Sequence, residues 1–135
     1  MPKLTQEQLL EIFNALKKEM QPYEKGSIVA RFDMEGKYDL WSEFEGKGLE
    51  IYGRMRKDVA FAALIVQSSY VGFYFMPVYA DDDKIKKQLS PELLKLLKGK
   101  ACFHIKEVNK DILKYVKDAL KAGYAGYKKL GWLKE

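Results

Sequence analysis

The sequence predicts an α+β fold, an antiparallel sheet of about five strands flanked by N-terminal and C-terminal helices. Three patterns carry the expectation. The chain opens and closes on segments whose apolar residues recur at helical spacing, and between them lie runs of period two. The most apolar of these runs, Val59 to Tyr79, contains residues that are apolar on both faces of a strand.

In chain order, Thr5 with Gln8 forms a capping-box pattern, and Leu9, Leu10, Phe13, Leu16 and Met20 then share one side of a helix over Thr5 to Met20. Pro22 and Gly26 close it. Ser27 to Asp33 reads as a strand with Ile28, Ala30 and Phe32 on one face. Tyr38 to Phe44 is a further strand, in which Trp41 falls unexpectedly on the polar side. After the turn at Gly46 and Gly48, Leu49 to Met55 alternates as one more strand, with a charged turn from Arg54 to Asp58 following.

Val59 to Val66 is expected to be a central strand, covered on both sides, and Tyr70 to Met76 the second arm of its hairpin. Pro77 lacks the N–H that would extend a ladder, so this arm should end there or reach the sheet margin. Ser90 and Pro91 open a helix over Glu92 to Leu97 that Gly99 ends. Lys100 to Lys106 is the last strand: Ala101, Phe103 and Ile105 face the core, and Cys102 and His104 share the opposite face. Asn109 or Asp111 starts the longest helix, with its apolar stripe through Ile112, Val116, Ala119, Leu120, Gly123, Tyr127 and Leu130. The expected core is Phe13, Ile51, Phe61, Leu64, Ile65, Phe73, Phe75, Phe103, Ile105, Val116 and Leu120.

Composition narrows the function classes. A chain of 135 residues, 47% hydrophobic and 32% charged, suits one soluble domain, residues 1–135, that buries about two thirds of its unfolded surface without a staple. No apolar run approaches the ~20 residues of a membrane span, and no signal-peptide core follows Met1, so a cytoplasmic location is expected. The single cysteine, Cys102, excludes an internal disulfide and any site built from several thiolates. The net charge of +5 is C-terminal in origin, with fourteen lysines against eight acids from Asp81 onward. Five of those lysines, Lys110, Lys114, Lys117, Lys121 and Lys128, fall within about forty degrees of one line along the last helix. A solvated face is the ordinary reading of such a stripe; nucleic acid or an acidic partner is the functional one.

No catalytic constellation stands out, so an enzyme is the less favoured class. Cys102 and His104 supply two ligands or a thiolate–imidazole couple, which falls short of a metal site, and a buried cysteine beside a hydrogen-bonded histidine is the commoner arrangement. Tyr70, Tyr74, Met76 and Tyr79, with Tyr52 from the preceding strand, are candidates to line an apolar pocket with polar tips, against a plain role in the core. Asp81, Asp82 and Asp83 lack the ligand spacing of a calcium loop and suit the positive end of a helix. The glycines of GYAGYKKLGW, Gly123 to Trp132, lack phosphate-loop spacing and suit close approach of this helix to the sheet.

Three stretches in order, VGFYFMPVYADD (Val71 to Asp82), LSPELLKLLKGKACFHIK (Leu89 to Lys106) and GYAGYKKLGW, resemble the YdhG-like bacterial family, a domain of unknown function. The resemblance spans roughly Arg54 to Leu133. It implies a small cytoplasmic α+β domain with a helix-flanked antiparallel sheet and no established activity. Some members of the family are described as iron-chaperone or frataxin-like proteins, a role that calls for acidic clusters, whereas this chain is basic.

Two functional expectations follow. The first is a non-enzymatic module binding a small ligand or metal ion near Tyr52, Tyr74, Met76, Tyr79, Cys102 and His104, with no cofactor indicated. The second is an interaction protein that uses the lysine stripe, with nucleic acid the less favoured partner. Cys102 is expected to be inert, buried between helix-covered sheet faces.

Overall fold

The computed structural model describes residues 4–43, 48–51, 54–80, 82–99 and 101–133. Helix α1 (Gln6–Met20) is followed by β1 (Ile28–Met34), β2 (Lys37–Glu43), β3 (Leu49–Ile51), β4 (Arg54–Arg56), β5 (Asp58–Val66) and β6 (Val71–Phe75). Then come three short helices, α2 (Met76–Ala80), α3 (Asp82–Gln88) and α4 (Pro91–Leu94). Strands β7 (Leu97–Lys98) and β8 (Cys102–Ile105) and the long helix α5 (Lys110–Leu130) complete the chain. The fold is α+β. Six strands form one antiparallel sheet in the order β1-β2-β5-β6-β8-β7, with the N-terminal and C-terminal helices against it.

Local chemistry sets the helix ends. Thr5 Oγ1 accepts the Gln8 amide and the Gln8 side chain accepts the Thr5 amide, so the capping box forms in full. Leu9, Ile12, Phe13, Leu16 and Met20 make the buried stripe; Ile12 takes the core place expected of Leu10, which is only half-buried. Asn109 caps α5 through the Ile112 amide, and Gly131, at φ 78°, closes it in the left-handed conformation that glycine adopts without strain. Gly123 sits where α5 crosses the sheet: a Cβ there would stand 2.4 Å from Phe75 Cζ and 2.7 Å from Pro77 Cγ. Only a glycine admits that approach.

The core lies between the helices and one face of the sheet. Tyr38 and Leu40 of β2, Val59, Phe61, Ala62 and Leu64 of β5, Val71, Phe73 and Phe75 of β6, and Phe103 and Ile105 of β8 meet α1 and α5 there. Buried Ser42 donates its hydroxyl to the Trp132 carbonyl at 2.7 Å, and the Ser27 hydroxyl lies 2.9 Å from it as a second partner. A buried polar group is thus satisfied and the chain end tied to β2.

Several expectations are corrected. Val59 to Val66 is a strand, but its residues do not alternate strictly. The pairing with β2 slips between Leu40 and Trp41, so Phe61 and Ala62 both turn inward and Ile65, expected in the core, lies half-buried on the opposite face. A second slip in β1, at Arg31, puts Phe32 opposite Asp39 instead of on the face of Ile28 and Ala30, and leaves it 41% exposed. Among the described residues, no helix covers the apolar second face of β5; its residues Ala60, Ala63 and Ile65 are half-buried.

Leu49 to Met55 is not one strand of the meander but parts of β3 and β4, a two-stranded ribbon separate from the main sheet. The helix expected over Glu92 to Leu97 stops at Leu94, and Leu97 instead pairs with Phe103; Gly99, at φ 76°, makes the turn between β7 and β8. Leu130 extends out of the apolar stripe of α5 and is 46% exposed. Tyr52 and Asp81 lie outside the described residues, as do the side chains of Ile51, Asp82 and Asp83.

Candidate functional site

The open face of the sheet carries the chemistry. In β6 and β8 the large buried side chains point to the helices, which leaves Tyr74, Cys102 and His104 on the other side, with Gly72 buried beneath the Tyr74 ring. The register sets their neighbours. Ala63, Tyr74 and Cys102 form one row across β5, β6 and β8, and Ile65, Gly72 and His104 form the next. Along these rows, directly opposed side chains lie within contact distance.

Tyr70 closes the four-residue loop of the β5–β6 hairpin, where the Gln67 amide donates to the Tyr70 carbonyl at 2.9 Å. Its ring lies flat on the imidazole of His104, with centroids 3.8 Å apart and planes 11° apart. Gly72, opposite His104, leaves space by having no side chain. Tyr74 uses the same space: its Cε2 would lie 2.8 Å from any Cβ built on Gly72. The Tyr74 hydroxyl shares a hydrogen bond with the Cys102 thiol, and the Gln67 amide nitrogen stands 3.5 Å from it.

The electrostatics follow from partial burial. Desolvation pushes the Cys102 thiol above its ordinary value, opposed by the hydrogen bond from Tyr74. Desolvation, the charge of Cys102 and their shared hydrogen bond raise the Tyr74 phenol in turn. The pair is therefore protonated at neutral pH and offers neutral polar tips. Cys102 is half-buried beside Tyr74, and not, as expected, enclosed under a helix.

Of the residues singled out in the sequence, Tyr70, Tyr74, Cys102 and His104 come together. Met76 does not join them: alternation would have placed it on this face, but β6 ends at Phe75 and Met76 begins α2. Tyr79, also on α2, is exposed and stands apart from the rows, and Tyr52 is outside the described residues. Two contributors were missed, Gln67 and Gly72. Gly72 carries a readable signal, since a glycine inside an aromatic strand marks a place where something lies close to the backbone.

Cys102 and His104 find no third ligand, because no group of three or more His, Cys, Asp or Glu side chains converges among the described residues. Farther along the same sheet face, Arg31 lies over the Trp41 ring, 4.2 Å from its centroid, and also bonds Glu43 and Asp58. This explains a tryptophan on the polar side of β2: the guanidinium covers its ring. The lysines of the stripe, Lys110, Lys114, Lys117, Lys121 and Lys128, are all exposed along α5. Among the described residues, no helix is long and apolar enough to cross a membrane. Compared with protein-family models, curated proteins and solved structures, the chain matches none of them.

Proposed function

We propose that the protein is a non-enzymatic binding module that takes a small planar ligand on the open sheet face, beside Tyr74 and His104. The observation that carries the reading is the stack of Tyr70 on His104 at 3.8 Å, on a face that the helices leave uncovered. The stack supports the reading, since one flat ring, that of Tyr70, already lies against this surface. Ala63 keeps the floor low beside Tyr74, whose ring covers Gly72, and the Tyr74 hydroxyl, the Cys102 thiol and Gln67 supply a hydrogen-bonding rim. A planar ligand would extend or replace the Tyr70 ring. A metal ion is the weaker candidate, since Cys102 and His104 would need donors from outside the described residues.

Amide NMR spectra recorded with a panel of indoles, purines and flavins test this. Binding should move the signals of Gly72, Tyr74, Cys102 and His104, and a ligand at a hundred times its dissociation constant should add ~2.7 kcal/mol of stability. Tyr74→Ala should remove both effects. A panel that leaves these four signals in place overturns the proposal.

A second reading is supported by the five exposed lysines of α5, which would engage nucleic acid or an acidic protein. Contact with five phosphates of duplex DNA would give a log–log salt slope near about −4.5.

A further inference from the structure

Beside the lysine stripe, α3 and α5 enclose an open groove of about 400 Å³, lined by Ile85, Gln88, Ala122, Ala125, Gly126, Lys129 and Leu130. Its floor is apolar. Ile85 is buried, the small side chains of Ala122, Ala125 and Gly126 hold the α5 surface back, and Leu130 is 46% exposed at one end. The sheet-face site does not use it.

Among the described side chains, the charge around the groove is mainly basic. Helix α5 carries six lysines against two aspartates. At about a hundred degrees per residue, the stripe of Lys114, Lys121 and Lys128 runs directly alongside Ala125 and Lys129. Lys86 and Lys87 stand on α3, next in sequence to Gln88 of the groove wall. Asp118 sits one turn before Ala122, toward the N-terminal end of α5. From Ala122 to Leu130 the groove runs ~12 Å, a little over two helical turns.

We infer that this groove docks an acidic amphipathic helix of a partner protein, its apolar side in the groove and its carboxylates on the flanking lysines. The inference rests on the lysine-face reading above and narrows it. Nucleic acid would use the lysines but has no need of an apolar trough beside them. A helix with leucines at three- and four-residue spacing fills such a trough and places its acids beside the basic stripe. Ala122, Ala125 and Gly126 let its backbone come close.

The probe is a labelled 18-residue helical peptide with leucines at that spacing and glutamates elsewhere. The comparisons are a peptide of the same composition in shuffled order and a duplex DNA of about 20 base pairs, chosen to cover a surface of this length. The 135-residue chain should bind the amphipathic peptide at least tenfold more tightly than the shuffled one, and binding should weaken as salt rises. Ala125→Glu is an exposed change that fills the groove with an acid, and it should cost tenfold or more. The double variant Lys114→Glu, Lys121→Glu should cost as much, and the amide signals of Ala122, Ala125 and Gly126 should move on binding.

If charge reversal abolishes binding but Ala125→Glu leaves it within twofold, the groove is overturned while the lysine-face reading stands. Equal binding of the shuffled peptide, or tighter binding of DNA that ignores Ala125→Glu, has the same meaning. If neither peptide nor DNA binds at low salt, both are overturned. A concentration-dependent dimer that Ala125→Glu dissolves would make the occupant a second copy of this chain and overturn the partner named here.

Discussion

The Tyr127 hydroxyl donates to the Ala60 carbonyl at 2.7 Å, across 67 positions of sequence. The bond reaches the place where β5 slips its register against β2, between Ala60 and Ala62. A bulge disrupts the ladder locally, so a side chain that bonds the backbone there supports it. The same ring packs on Phe61 and Trp132, with centroids 5.6 Å and 5.2 Å away. Tyr127→Phe keeps those ring contacts and loses the bond to Ala60. It should lower stability by about 1–2 kcal/mol, read as a shift of the urea midpoint at constant slope. An unchanged midpoint would show that water replaces the hydroxyl at no cost.

Two glycines of α5 should respond oppositely to the same change. At both, alanine gains about 1 kcal/mol of helix propensity. At Gly123 the new methyl meets Phe75 and Pro77 at 2.4 Å and 2.7 Å, both stiff rings in a full core. Overpacking of that kind costs about 1–3 kcal/mol and should win, so Gly123→Ala destabilises. At Gly126 the nearest atom is Ile85 Cδ1 at 3.2 Å, the end of a side chain that can turn aside. Gly126→Ala should be neutral or slightly stabilising. Thermal melts of the two variants decide it, and equal losses would mean that the helix does not approach the sheet as closely as described.

Alkylation measures Cys102. Its thiol is half-buried and pushed up by desolvation, so iodoacetamide at neutral pH should label the native protein more slowly than the urea-unfolded chain. The gap should narrow as pH rises above the free-thiol value of ~8.5. Labelling at equal rates would place the thiol in water and return Cys102 to consideration as a reactive group.

Alkali should unfold the protein. Burial raises Tyr23, Tyr38, Tyr74 and Cys102, with Tyr38 held further by its hydrogen bond to Glu24 at 2.8 Å. A raised folded value contributes stability in full below the unfolded value and loses it as pH climbs through the folded one. These groups therefore give a constant contribution up to about pH 8.5 and a falling one beyond about pH 10, the free thiol and phenol values. Urea midpoints between pH 8 and 11 should decline, and phenolate absorbance should rise together with unfolding. A midpoint that holds through pH 11 would contradict it.

Much of this architecture is legible in the residues, and the losses have identifiable causes. Thr5, Gln8, Pro77 and Gly131 mark element ends through short-range sterics and hydrogen bonds, so they read correctly without the fold. The slips at Arg31 and Phe61 depend on how two strands meet, which no alternation pattern records; Phe32 and Ile65 were misplaced for that reason. Cys102 and His104 share a face by simple parity and were found. Tyr70 reads in the sequence as a pocket-lining candidate, but its stack on His104 depends on the register that brings the β5–β6 loop beside β8. Met76 was lost where α2 takes over from β6, a boundary that Pro77 signals only to within a residue or two.

The outermost strands of the sheet constrain how anything can join it. At one end β7 is only two residues long, Leu97 and Lys98, and Lys98 is exposed. At the other, β1 carries its bulge at Arg31, which adds twist and breaks the regular run of outward amides and carbonyls. Both are poor templates for a foreign strand, and short or bulged rims of this kind suppress edge-to-edge aggregation. The chain should therefore resist fibril seeding despite the apolar β5–β6 hairpin, whose strands are both interior.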